Sequence, residues 1–155
     1  MVQILDPTSV ADLVLRAILL IGFTCLFRPN SYQSLKWKDV TFSAVVDVDG
    51  NLRVEAVVTV PDTKSVAYAA ALGGTSRKVK LKEFSIRDLC GVRTLVALGN
   101  KMGAFDRDLA DACRHKRFVV KQECLDWYVF PAVARGVLSP HKTVSRWVGG
   151  IKRMS

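Results

Sequence analysis

The sequence predicts an α+β domain, mainly helical, with a small three-stranded antiparallel sheet. Three observations carry that expectation. The apolar run Ala17 to Phe27, eleven residues long, has the character of a buried helix and is too short to span a membrane. Two valine-rich segments, Val40 to Val48 and Leu52 to Val60, repeat with period two on either side of Asp49-Gly50, a pair suited to the positive φ of a tight hairpin turn. Helical spacing then returns from Arg87 to about Lys101, with Leu89, Val92, Leu95, Val96 and Leu98 on one side. At 155 residues, half of them apolar, the chain reads as one domain, 1–155, able to bury a real core.

Taken in order, Ser9-Val10-Ala11-Asp12 reads as a capping box opening a helix that runs to about Leu26 and, being apolar almost all round after Arg16, is expected to be central. Pro29 suits the first turn of a second, short helix, with Tyr32, Leu35 and Trp37 toward the core. After the two strands, Pro61-Asp62-Thr63-Lys64 has turn chemistry and sets Lys64 on a loop. Arg77 to Lys82 alternates, Lys78, Lys80 and Lys82 on one face and Val79 and Leu81 on the other, which predicts a third strand. A short helix is expected over Asp106 to His115, a buried aromatic segment over Trp127 to Pro131, and a last helix from Ser139-Pro140.

The charge is uneven. Residues 1–75 carry six basic and seven acidic side chains, whereas residues 76–155 carry seventeen and seven, so the two halves carry −1 and +10 of the net +9. That half is the candidate for meeting a polyanion. Candidate phosphate contacts are Arg77, Lys78, Lys80 and Lys82 on the third strand, Lys36 and Lys38 before the first, and Lys142 and Arg146 in the last predicted helix. Lysines also guard edge strands against aggregation, so the row on the third strand has a purely structural alternative. Cys25, Cys90, Cys113 and Cys124 form no close-spaced framework, and no secretory leader opens the chain, so reduced thiols in nucleus or cytoplasm are expected. Cys113, His115 and Cys124 fit no familiar zinc spacing, and no metal site is expected.

Between the first two helices stands Cys25-Leu26-Phe27-Arg28, followed by Leu35-Lys36-Trp37-Lys38-Asp39-Val40, the predicted hairpin and Thr63-Lys64. This succession resembles the first half of a tyrosine recombinase (phage-integrase-like) catalytic domain, most nearly the captain-type recombinases of large fungal transposons and the related crypton elements. Asp88-Leu89-Cys90, Gly103-Ala104-Phe105 and Tyr128-Val129-Phe130-Pro131 extend the resemblance over roughly residues 10 to 150. It implies double-stranded DNA as partner, strand cleavage through a phosphotyrosine, assembly with further copies on DNA, and no cofactor. It also implies catalytic roles for Arg28, as a bidentate donor to the phosphate, and Lys64, as the acid for the leaving oxygen. Ser31 stands where the family commonly has an acidic residue; His141 is followed three places on by Val144 rather than by arginine, and no tyrosine follows Tyr128. The expectation is therefore a recombinase-type DNA-binding domain truncated before its H-x-x-R box and nucleophile. The alternatives are a non-catalytic DNA-binding or interaction module, or a small α/β protein unrelated to DNA in which Arg28 caps a helix or pairs with Asp39.

Overall fold

The computed structural model describes residues 9–25, 31–61, 76–83, 86, 89–106 and 109–143. Helix α1 (Val10–Cys25) begins where expected, with the Ser9 hydroxyl accepting the Asp12 amide at 3.4 Å. It buries one face, Val14, Ala17, Ile18, Ile21 and Cys25, rather than its whole circumference: Phe23 is 84 % exposed. A short helix α2 (Ser31–Ser34) leads to a 3-10 turn (Trp37–Asp39). There the Asp39 carboxylate accepts the Lys36 amide at 3.0 Å, so Asp39 caps its own turn.

Strands β1 (Val40–Val46) and β2 (Leu52–Pro61) form the expected hairpin, and β3 (Ser76–Lys82) adds to β2, giving the antiparallel order β1-β2-β3. The turn is organised by Asp47, whose carboxylate accepts the Asp49 and Asn51 amides and the Arg53 Nε at 2.9–3.0 Å. The bond from Arg53, then that from the Asn51 amide, hold the Asp47 carboxyl below the usual carboxylate range. Period two places Val54, Ala56, Val58 and Val60 of β2 on the buried face, beside Val40 of β1 and Leu81 of β3.

Helix α3 (Gly91–Met102) covers that face together with α1, turning in Val92, Leu95 and Leu98. The α1–α3 crossing is close, since a Cβ on Gly91 would stand 2.9 Å from Ile21 Cδ1. Helix α4 (Leu109–His115) follows. Between α3 and the sheet lies an aromatic knot: the Phe105 ring meets Trp37, Phe42 and Phe118 at centroid distances of 5.9, 5.6 and 5.4 Å. The tip of the Phe105 ring also lies against Gly99, where any Cβ would overlap it. With Phe105 hemmed in by three rings, Gly99→Ala is expected to cost about 2–3 kcal/mol, outweighing the roughly 1 kcal/mol that alanine gains over glycine in a helix. A fall in the urea midpoint with unchanged slope would show it; an unchanged or raised midpoint would mean that the ring can retreat.

The chain ends differently from the expectation. In place of a helix from Ser139-Pro140, strands β4 (Pro131–Ala134) and β5 (Val137–Thr143) form a second hairpin. Arg135 and Gly136 close it with φ of 53° and 76°, a two-residue turn of the kind that matches strand twist. Pro140 falls where the pairing slips, between the Ala132–Ser139 and Pro131–Thr143 pairs, so its missing N–H costs no ladder bond, and its carbonyl accepts the Tyr128 amide. With this second sheet, helix and strand are about equally represented among the described residues rather than helix predominating. No described helix is long and apolar enough to cross a membrane.

Candidate nucleic-acid interface

On the face of the three-stranded sheet turned away from the core, the register sets Thr41, Ser43 and Val45 of β1 beside Val57, Glu55 and Arg53 of β2. Lys80 and Lys82 stand opposite Val57 and Glu55, and Lys78 opposite Thr59. All three lysines are exposed, while Val79 and Leu81 between them turn inward. Alternate side chains on a strand are about 6.6–6.8 Å apart, so the row presents evenly spaced charges over some three residues' width. One carboxylate answers them: Glu55 Oε2 lies 3.6 Å from Lys80 Nζ. Lys78 and Lys82 meet no carboxylate within ion-pair distance among the described residues. Among the described residues this face carries no aromatic side chain. β3 is the edge of its sheet, the position where lysines also discourage strand addition.

Lys36, Lys38 and Lys142 are brought into a second neighbourhood. The segment 125–129 runs beside 35–38: the amides of Trp37, Lys38 and Val129 donate to the carbonyls of Trp127, Leu125 and Leu35, each at 3.0 Å. Lys36 Nζ lies 5.3 Å from the centroid of the Tyr128 ring, a cation–π contact that ties the ammonium to the fold. Lys38 pairs with Asp126 at 3.2 Å, both side chains largely exposed, so the pair is screened and adds little to stability. Lys142 is exposed on β5, next to His141, whose ring meets Trp127 edge-on at 6.0 Å. Two of these three lysines therefore already have partners.

Arg28, Lys64 and Arg146 lie outside the described residues, Arg28 in the stretch joining α1 to α2 and Lys64 in the stretch joining β2 to β3. Arg77 sits in β3 opposite Val60, with its side chain outside the described set. Among the described residues no group of three or more His, Cys, Asp or Glu side chains is placed to hold a metal; Cys113 is exposed and Cys124 buried.

Sequence reasoning missed Glu83, the first residue after β3. Its amide donates to the Val54 carbonyl at 3.2 Å, and its carboxylate takes the Val54 amide at 2.9 Å on one oxygen and Arg93 Nε at 3.0 Å on the other. A side chain thus supplies the acceptor that the next strand residue would have supplied, and clamps α3 to the sheet. Its partners lie 29 and 10 residues away, so no local pattern could have announced it. Comparison with protein-family models, with curated proteins and with solved structures finds no match to this chain.

Proposed function

We propose that this chain is a double-stranded-DNA-binding domain of the tyrosine recombinase (integrase) type, gripping the duplex backbone through the outer face of its three-stranded sheet. One observation carries the reading: Lys78, Lys80 and Lys82 stand exposed in a row on one face, where the described residues offer them a single carboxylate. Such a row meets phosphates, which gives affinity and register without reading sequence. The absence of aromatic side chains from that face among the described residues favours duplex over single strands, because single-strand binders stack bases on exposed rings. The order of α1, the joint bearing Arg28, the hairpin and the stretch bearing Lys64 supports the recombinase type. The described residues supply DNA binding; no covalent step is assigned to them.

Fluorescence anisotropy with a duplex and a single strand of equal length, over a range of salt, tests this. Duplex is expected to bind more tightly, with log K falling by about 0.9 per neutralised phosphate for each decade of salt. Equal affinity for both strands, or duplex binding indifferent to salt, would sink the proposal.

A further inference from the structure

On the opposite side of the sheet from the lysine row lies a cleft of about 730 Å³, within the range of roughly 300–1,000 Å³ typical of small-molecule sites. Leu13, Val96 and Ala97 are the accessible apolar side chains of its lining, and Arg93 and Lys116 line it beside the Glu83 carboxylate. That carboxylate is only 8 % exposed, and both of its oxygens are engaged by Val54 and Arg93. Burial works to raise the Glu83 pKa, but the bonds from the Val54 amide and Arg93 and the charge of Lys116 outweigh it and hold the group below its ordinary value. Glu83 is therefore a fixed anion that orients the Arg93 guanidinium through Nε, and no described residue is seen to accept from the terminal nitrogens of the fork.

Lys116 gives an independent indication. It stands just past α4 with φ of 52°, a left-handed backbone that ordinarily selects glycine, and the Arg117 amide closes the helix end on the Ala112 carbonyl at 3.1 Å. A lysine there is a local cost, and what it adds over glycine is a charge in the cleft. Asn100 is also on the lining, and its side-chain amide is a donor and acceptor of the kind suited to a base edge.

We propose that this cleft binds a phosphate-bearing molecule of mononucleotide size, its phosphate held by Arg93 and Lys116 and its planar body lying against Leu13, Val96 and Ala97. The phosphate could come from a free nucleotide or from the end of a polynucleotide, and the experiment separates them. Thermal unfolding and calorimetry of the whole chain are measured with dAMP, with inorganic phosphate and with a 5′-phosphorylated oligonucleotide. The expected result is a saturable stabilisation by dAMP at millimolar concentration and at least roughly tenfold weaker binding of inorganic phosphate, which lacks the planar body. Tighter binding of the oligonucleotide than of dAMP by a variant lacking Lys78, Lys80 and Lys82, lost when the 5′-phosphate is removed, would uphold the site and identify the polynucleotide as its source.

Two variants make the test independent of folding. Lys116→Gly relieves the left-handed strain, so the unliganded melting temperature should rise by about 2–4 °C while dAMP affinity falls at least roughly tenfold. Ala97→Trp places a ring from an exposed lining position into the cleft and should abolish dAMP binding without unfolding the protein. No saturable effect of dAMP on the wild type together with none of the oligonucleotide on the variant lacking Lys78, Lys80 and Lys82, or undiminished dAMP affinity in Lys116→Gly, would overturn the proposal. The inference does not rest on the DNA reading: a variant lacking Lys78, Lys80 and Lys82 should bind dAMP as the wild type does, so either proposal can fail alone.

Discussion

Replacing Lys78, Lys80 and Lys82 together by glutamine is expected to lower the slope of log K against log salt for duplex binding by about 2.7, since each phosphate neutralised contributes about 0.9. At low salt this amounts to a loss of roughly a hundredfold or more in duplex affinity. The substitutions leave the fold almost untouched: the three side chains are exposed, and the one ion pair removed, Lys80 with Glu55, is a long one at 3.6 Å. Exposed substitutions of this kind usually change stability by about 0.5 kcal/mol or less. A triple variant that keeps the wild-type slope but becomes prone to aggregate would assign the lysines to edge protection instead.

Glu83→Ala is expected to cost about 2–3 kcal/mol, as much as Gly99→Ala, measured by urea unfolding at neutral pH. Most of this comes from leaving the Val54 amide without an acceptor in a buried sheet; less comes from Arg93, whose 36 % exposed side chain is screened by water. Glu83→Gln should cost less, because the amide oxygen still accepts from Val54. The pH dependence separates the charge from the hydrogen bond. The folded state lowers the Glu83 pKa, so its contribution is fully present above the ordinary glutamate value of about 4.3 and is lost as the pH falls through the lowered folded value. Asp47 titrates in the same sense, so the informative quantity is the difference between wild type and Glu83→Gln, which should shrink as the solution is acidified through that window. A difference independent of pH would mean that the ionised carboxylate contributes nothing beyond its shape.

What could be read from the residues alone was whatever is local. The Ser9 cap, the hairpin around Asp49-Gly50 and the lysine alternation on the third strand are each written within a few neighbouring residues, and each is present in the fold. The failures come from cues that compete. Ser139-Pro140 carries the chemistry of a helix start, yet Arg135-Gly136 just upstream turns the chain into a hairpin, and proline is accommodated at the slipped pairing. The apolar circumference of α1 suggested burial on all sides, but α3 and the sheet cover one, leaving Phe23 in solvent. Long-range pairing left no trace in local patterns. The meeting of 35–38 with 125–129 commits Lys36 to the Tyr128 ring, and the Glu83 clamp gathers residues from β2 and α3 to build the cleft.

The central claim, that duplex DNA lies across the outer face of the three-stranded sheet, is tested most directly by lysine acetylation of the intact chain, with and without saturating duplex, read out by mass spectrometry. Lys78, Lys80 and Lys82 should become protected together. Lys101, equally exposed but carried by α3 on the other side of the sheet, should label at the same rate in both samples. Unchanged labelling of the three strand lysines under conditions where duplex is bound would contradict the account and move the DNA to another face.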